Sequence, residues 1–197
     1  MANWAFTSYA IEGPKETLQK IEQAILHHDV EEGSSENWEG NILHALGIKW
    51  LDRSQDRENG KYMRGFISDS EPWYYNNTLR FDAKEAWGIT DFDEVLMETF
   101  PDIKVYWVVE EPGMEIYQTN DKEGKYFKDR FYVDTCIEGN YQSEYFTYKS
   151  SVFKWLHDIT NGRVKSKQDV EKFNSEYEVS DSMDENFIYI HEFEIIE

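Results

Sequence analysis

The chain has 197 residues, 40% of them hydrophobic and 16% aromatic, which is enough to bury a core and too many large apolar side chains for a disordered segment. Asp and Glu number 40 against 20 Lys and Arg, a formal charge of −20. That balance excludes direct binding of nucleic acid or of an anionic membrane, since both need Lys and Arg set against phosphate. It would attract basic proteins, metal cations or proteins that normally hold nucleic acid, and plain solubility is the simpler reading of it.

A single cysteine, Cys136, rules out an internal disulfide framework. The opening MANWAFTSYAIEG has no basic segment ahead of an apolar run, and no stretch approaches the ~18 apolar residues of a membrane span. A cytoplasmic location is the expectation.

The first predicted strand is Trp4–Glu12, rich in Phe, Thr, Tyr and Ile and ended by Gly13–Pro14. Pro14 opens a helix to about His28, with Leu18, Ile21 and Ile25 at helical spacing. An acidic and polar stretch follows. A short helix then covers about Trp38–Leu46, with Gly47 as its stop. Asp52–Gly60 reads as an exposed loop.

Strands are predicted at Tyr62–Ser68 and Thr78–Ala86. In the second, Leu79, Phe81 and Ala83 alternate with Arg80, Asp82 and Lys84, the pattern of a half-buried antiparallel strand. Between them, DSEPWYYNN reads as a long hairpin loop carrying Trp73, Tyr74 and Tyr75. Thr90 with Asp93 three residues later suggests a relaxed capping box. The helix after it buries Phe92, Val95, Leu96 and Phe100 and stops at Pro101. A central strand follows at Ile103–Val109.

Strand, helix, strand, strand, helix, strand is the order of a ferredoxin-like split β-α-β fold with an antiparallel sheet. The fold class is therefore α+β, with a domain over 1–112 and a helical insertion at about 29–61. A C-terminal β-rich extension over 113–197 would pack on the same core. In it, strands are expected at Glu115–Gln118, Phe127–Ile137 and Gln142–Tyr148, the last two joined by a tight turn at Glu138-Gly139-Asn140. Ser150 or Ser151 starts one helix, closed by Asn161–Gly162. Ser166 with Asp169 starts another that buries Val170 and Phe173. A last strand is predicted over Phe187–Ile196.

No arrangement of residues commits to a reaction. His27 and His28 adjoin at a helix end and the other histidines are isolated, so zinc-ligand spacing is absent. Asp52, Ser54, Asp56 and Glu58 alternate like a calcium loop, but Arg57 replaces the required glycine and Met63 the closing glutamate. No metal and no cofactor are expected. Two features stand out as partner-binding candidates. One is Trp73-Tyr74-Tyr75, since loop aromatics are typical recognition anchors. The other is the acidic tail, where Asp184 and Glu185 lie in a loop and Glu192 and Glu194 share one face of the last strand.

Asn3-Trp4 at the start of the first strand and Gly13 at its end, then Trp87, Pro101 and Glu111-Pro112-Gly113, resemble the YubB-like proteins of conjugative plasmids, integrative elements and phages. The family opens with Pro-Asn-Trp-Cys; here Ala2 and Ala5 stand for the proline and cysteine. The resemblance covers about residues 1–120. It implies a ferredoxin-like domain and a mobile-element setting, and carries no activity with it. The leading expectation is a non-enzymatic accessory protein that binds another protein through its acidic surface. The alternatives are a DNA mimic that inhibits a host DNA-binding protein through the Asp181–Glu197 stretch, and an enzyme with a carboxylate-lined pocket.

Overall fold

The computed structural model describes residues 3–28, 37–48, 57–58, 61–68, 71–178 and 186–197. The protein is α+β. It divides into two compact units, Met1–Lys122 with Ile195–Glu197, and Glu123–Glu194. Each has its own hydrophobic core.

In the first unit the chain runs β1 (Trp4–Glu12), α1 (Lys15–Leu26), α2 (Glu39–Ala45), β2 (Arg57–Glu58), β3 (Lys61–Tyr62), β4 (Gly65–Ile67), β5 (Trp73–Tyr75), β6 (Thr78–Ala86), α3 (Phe92–Thr99), β7 (Lys104–Glu111) and β8 (Ile116–Thr119). β1 pairs antiparallel with both β6 and β7, and β4 with β6. The order across the sheet is β12-β8-β7-β1-β6-β4, where β12 (Glu194–Ile195) is the short last strand. The first and fourth predicted long strands are thus direct neighbours at the centre.

Alternation in β1, β6 and β7 sends Tyr9, Ile11, Leu79, Phe81, Val105 and Trp107 to one face. Leu18, Ile21 and Ile25 of α1 and Phe92 and Leu96 of α3 join the same core. Tyr9 stacks on Phe81 at 4.9 Å, and Phe92 meets both edge-on. Burying each such ring stabilises the fold by ~1.5–3 kcal/mol before the entropy of ordering is subtracted.

The second unit holds β9 (Phe131–Ile137), β10 (Asn140–Phe146), α4 (Lys149–Ile159), α5 (Lys167–Glu178) and β11 (Phe187–Glu192). Its antiparallel sheet has the order β10-β9-β11. Phe131, Val133 and Ile188 pack with Val152 and Leu156 of α4 and Val170 and Phe173 of α5. Glu138 and Gly139 both have positive φ, 51° and 78°, the type I′ geometry of a two-residue hairpin. Ser166 Oγ accepts from the Asp169 N–H at 3.3 Å and donates to Asp169 Oδ2 at 2.9 Å, so the expected cap forms.

Several sequence expectations change. Trp73-Tyr74-Tyr75 is a strand, because Asn76 and Asn77 take positive φ, 49° and 60°, and close a tight hairpin onto β6. β8 joins the first unit because it pairs with β7. Within the segment read as the loop 52–60, Arg57–Glu58 pairs with Lys61–Tyr62. The single strand expected over Phe187–Ile196 breaks at buried Phe193, whose N–H turns back to the Arg130 carbonyl at 2.9 Å. Asp91, at the N-cap of α3, makes no side-chain cap; Thr90 Oγ1 accepts from the Phe92 N–H at 3.4 Å, while Asp93 turns to Trp107 and closes no capping box. Among the described residues no helix is long and apolar enough to cross a membrane.

Candidate functional site

The first unit buries two carboxyl groups side by side. Glu39 opens α2 and Glu85 lies on β6, and neither has measurable exposure. Glu85 collects donors. Tyr9 Oη donates to Oε1 at 2.7 Å, the Thr90 N–H to Oε1 at 3.1 Å, and the Thr7 hydroxyl to Oε2. The Thr90 hydroxyl is 2.7 Å from Glu85 Oε1 and 2.9 Å from Glu39 Oε2. One hydroxyl proton cannot serve both. With so many donors on Glu85, the consistent assignment makes Glu85 the carboxylate and Glu39 the neutral acid. Glu39 then donates to Thr90, which donates on to Glu85.

Burial, and next the charge of Glu85, hold the Glu39 carboxyl well above its ordinary range. Burial also raises Glu85, against the lowering effect of its hydroxyl donors. Asp93, on α3, is pushed up to about 6 by burial, although it accepts from Trp107 Nε1 at 2.8 Å. Burial, then the field of Glu85, also raises Tyr9.

The pair is seated by a glycine. Gly65 on β4 lies directly opposite Glu85, and a Cβ there would collide with Glu39 Oε1. Glu39 therefore occupies the space of a missing side chain. Neither carboxyl reaches the surface, which makes the pair a buried, titrating element of the first unit's core.

The opposite face of this sheet is open. Register places Trp4, Phe6, Ser8 and Ala10 of β1 beside Lys84, Asp82 and Arg80 of β6, with Trp73 opposite Arg80 and Tyr75 opposite Thr78. Trp4, Phe6, Trp73 and Tyr75 are 42–59% exposed. Arg80 lies over the Tyr75 ring at 5.6 Å, and Trp4 packs on Phe66 at 5.4 Å. Ser8 donates to Asp82 at 2.7 Å. Tyr74 faces the other way and reaches Glu22 Oε2 at 3.4 Å.

A second open face lies on the other unit. Three rows cross its sheet: Tyr141, Cys136 and Phe187; Ser143, Asp134 and Tyr189; Tyr145, Tyr132 and His191. Tyr132 packs on Tyr145 at 4.8 Å, and Tyr189 on Phe187 at 4.9 Å. His191 Nε2 is 2.9 Å from Asp134 Oδ1 at the centre. Cys136 is buried beneath this layer.

Of the acidic tail, Asp184 and Glu185 lie outside the described residues. Glu192 and Glu194 are both exposed but belong to different strands, so they do not form one carboxylate row. Among the described residues no group of three or more His, Cys, Asp and Glu is arranged to hold a metal ion.

Three of the residues carrying the family resemblance meet at one end of β1. The Trp87 N–H donates to the Asn3 carbonyl at 2.9 Å, with Trp87 at a left-handed φ of 70°. A Cβ on Gly113 would lie 3.1 Å from Glu111 Oε1 and 3.6 Å from Asn3 Nδ2. Trp4 follows Asn3. At the far end of β1, Gly13 has no room for a Cβ, which would lie 2.8 Å from Ile103 Cγ2, two residues beyond Pro101.

Sequence reasoning missed Glu39, Glu85 and the tyrosine-rich face of the second unit. The strand alternation of Tyr132-Asp134 and Tyr141-Ser143-Tyr145 was the available signal for that face. Comparison with family models, with curated proteins and with solved structures finds no match to this chain.

Proposed function

We propose that this chain is a non-enzymatic protein-binding module whose first unit is a ferredoxin-like split β-α-β domain. The order β7-β1-β6-β4, with α1 after β1 and α3 between β6 and β7, supports that fold. The meeting of Asn3, Trp87 and Gly113 supports kinship with the YubB-like proteins, and with it an accessory role on a mobile element.

The observation that carries the function is the open aromatic face of the first unit. Trp4, Phe6, Trp73 and Tyr75 stand on a rigid sheet around Arg80 and Lys84. Exposed Trp, Tyr and Arg are the residues that dominate protein interfaces. Asp82 and Glu110 lie in the same face and would repel phosphate, which favours a protein over nucleic acid. Capture from a lysate of the cell that makes the protein tests this. The wild type should retain a protein at physiological salt, and paired Trp4→Ala/Phe6→Ala and Trp73→Ala/Tyr75→Ala variants should lose it. No retained protein, or retention unchanged in both variants, defeats the reading.

A further inference from the structure

The second unit carries an independent surface with a different chemistry. Strand β10 is an end strand, and among the described residues it pairs only with β9. Residues 140–145 are all exposed. An end strand of seven residues offers a row of backbone donors and acceptors to any extended chain. Natural edges are usually guarded by lysine, proline or a bulge. β10, Asn-Tyr-Gln-Ser-Glu-Tyr-Phe, has neither lysine nor proline. The Tyr145 N–H turns to its neighbour's Glu144 Oε1 at 3.4 Å, and Ser143, two residues away, shares its direction.

The chemistry of the adjoining face selects the visitor. Tyr141, Tyr145 and Tyr189 are 64, 44 and 51% exposed, and they surround Asp134. On this face the three strands carry no Lys or Arg, and Asp134 is their one carboxylate there, since Glu144 and Glu192 stand opposite Val133 and Phe131 on the core side. Aromatic faces around a carboxylate attract cations, and a guanidinium can both stack on tyrosine and bond a carboxylate. His191 occupies one oxygen of Asp134, Oδ1. A second copy of the chain is disfavoured, because each carries a charge of −20.

We propose that β10 accepts an extended, arginine-bearing segment of a partner protein as a fourth strand, with alternate arginines laid over the tyrosines toward Asp134. The period of two in a strand puts every second side chain of the added segment on this face. Capture of an unidentified protein by the first unit neither requires nor tests this surface.

The test uses the full chain and synthetic nine-residue peptides with alternating Arg and Thr, or the same peptides with Glu or Lys in place of Arg. Binding is read by calorimetry and by amide shifts of residues 140–146. The Arg peptide should bind saturably, the Lys peptide several-fold more weakly, and the Glu peptide not at all. Asp134→Asn, which keeps the shape, should weaken the Arg peptide roughly tenfold. Ser143→Pro, which removes an edge N–H, should abolish its binding, with circular dichroism confirming that the sheet persists. Should that variant unfold, Tyr141→Ala with Tyr145→Ala gives the second reading and should also lose it. Trp73→Ala should leave it unchanged, which separates this surface from that of the first unit. Equal binding of Arg and Glu peptides overturns the proposal, as does binding indifferent to both Asp134→Asn and the tyrosine pair. Saturable binding of a neutral oligosaccharide with no response to the Arg peptide would also overturn it and assign the face to a glycan.

Discussion

Glu39→Gln isolates the proton that the buried pair holds. Glutamine keeps the shape of a neutral glutamic acid, and its amide can donate to Thr90 as the acid does. In the wild type Glu39 stays protonated in the fold at pH values where the unfolded chain, with an ordinary carboxyl near 4.5, has already lost the proton. The folded state then binds more protons than the unfolded one, so stability is full in mild acid and falls as pH rises. One retained proton costs about 1.4 kcal/mol per pH unit. Asp93 titrates with the same sign, with its midpoint near 6, and is common to both proteins. Wherever the fold keeps the Glu39 proton above the ordinary carboxyl range, the wild type should lose stability faster with pH than Glu39→Gln, by up to ~1.4 kcal/mol per pH unit. The repulsion of a −20 chain is common to both and cancels in the difference. Urea unfolding at each pH, followed by tryptophan emission, measures it. Six of the seven tryptophans lie in the first unit and only Trp155 in the second, so emission reports chiefly the right unit. Parallel pH slopes for the two proteins would mean that Glu39 is ionised in the fold. That would refute the proton assignment together with the Thr90 relay.

Gly65→Ala should destabilise the first unit by ~1–3 kcal/mol through overpacking against Glu39, and a second change, Glu39→Ala, should recover part of the loss in a double-mutant cycle of urea midpoints. Asp93→Asn keeps an acceptor for Trp107 Nε1 and removes a carboxyl raised from 3.8 to about 6. It should stabilise the first unit by ~2–3 kcal/mol at pH 7 and by almost nothing near pH 2.5, where the wild-type acid is neutral in both states. Ser166→Ala should lower the stability of the second unit by ~1 kcal/mol, read from Trp155 emission, with no change in the first.

The long strands were legible because burial on one face leaves a period of two, as in Leu79, Phe81 and Ala83. The stripe of α1 and the hairpin at Glu138-Gly139 were legible for equally local reasons. The hairpin at Asn76-Asn77 obeys the same turn rule. Its flanking aromatics hid it, since all three residues of β5 are exposed and show no alternation. Thr90 and Asp93 have the spacing of a cap, but that spacing cannot tell whether their oxygens bind the helix or turn inward. Glu85, five residues before Thr90, and Trp107, fourteen after Asp93, engage them, and Thr90 Oγ1 keeps only a long 3.4 Å bond from the Phe92 N–H.

Glu39 shows how far sequence reasoning about charge can reach. An acid in the first turn of a helix reads as a surface residue favoured by the helix dipole. Its burial depends on Gly65, 26 positions away, which leaves a void the size of a carboxyl group, and on Thr90, which relays its proton. Net charge has the same weakness as a guide to function. The −20 describes the whole molecule, while a partner meets one face at a time. The first unit's open face mixes Arg80 and Lys84 with Asp82, whereas the second unit's open face sets Asp134 and His191 among tyrosines with no Lys or Arg on its strands. A cationic segment therefore has reason to choose the second face, and a mixed, aromatic protein surface the first. The distinction depends on which residues share a side of a sheet, and composition alone does not carry it.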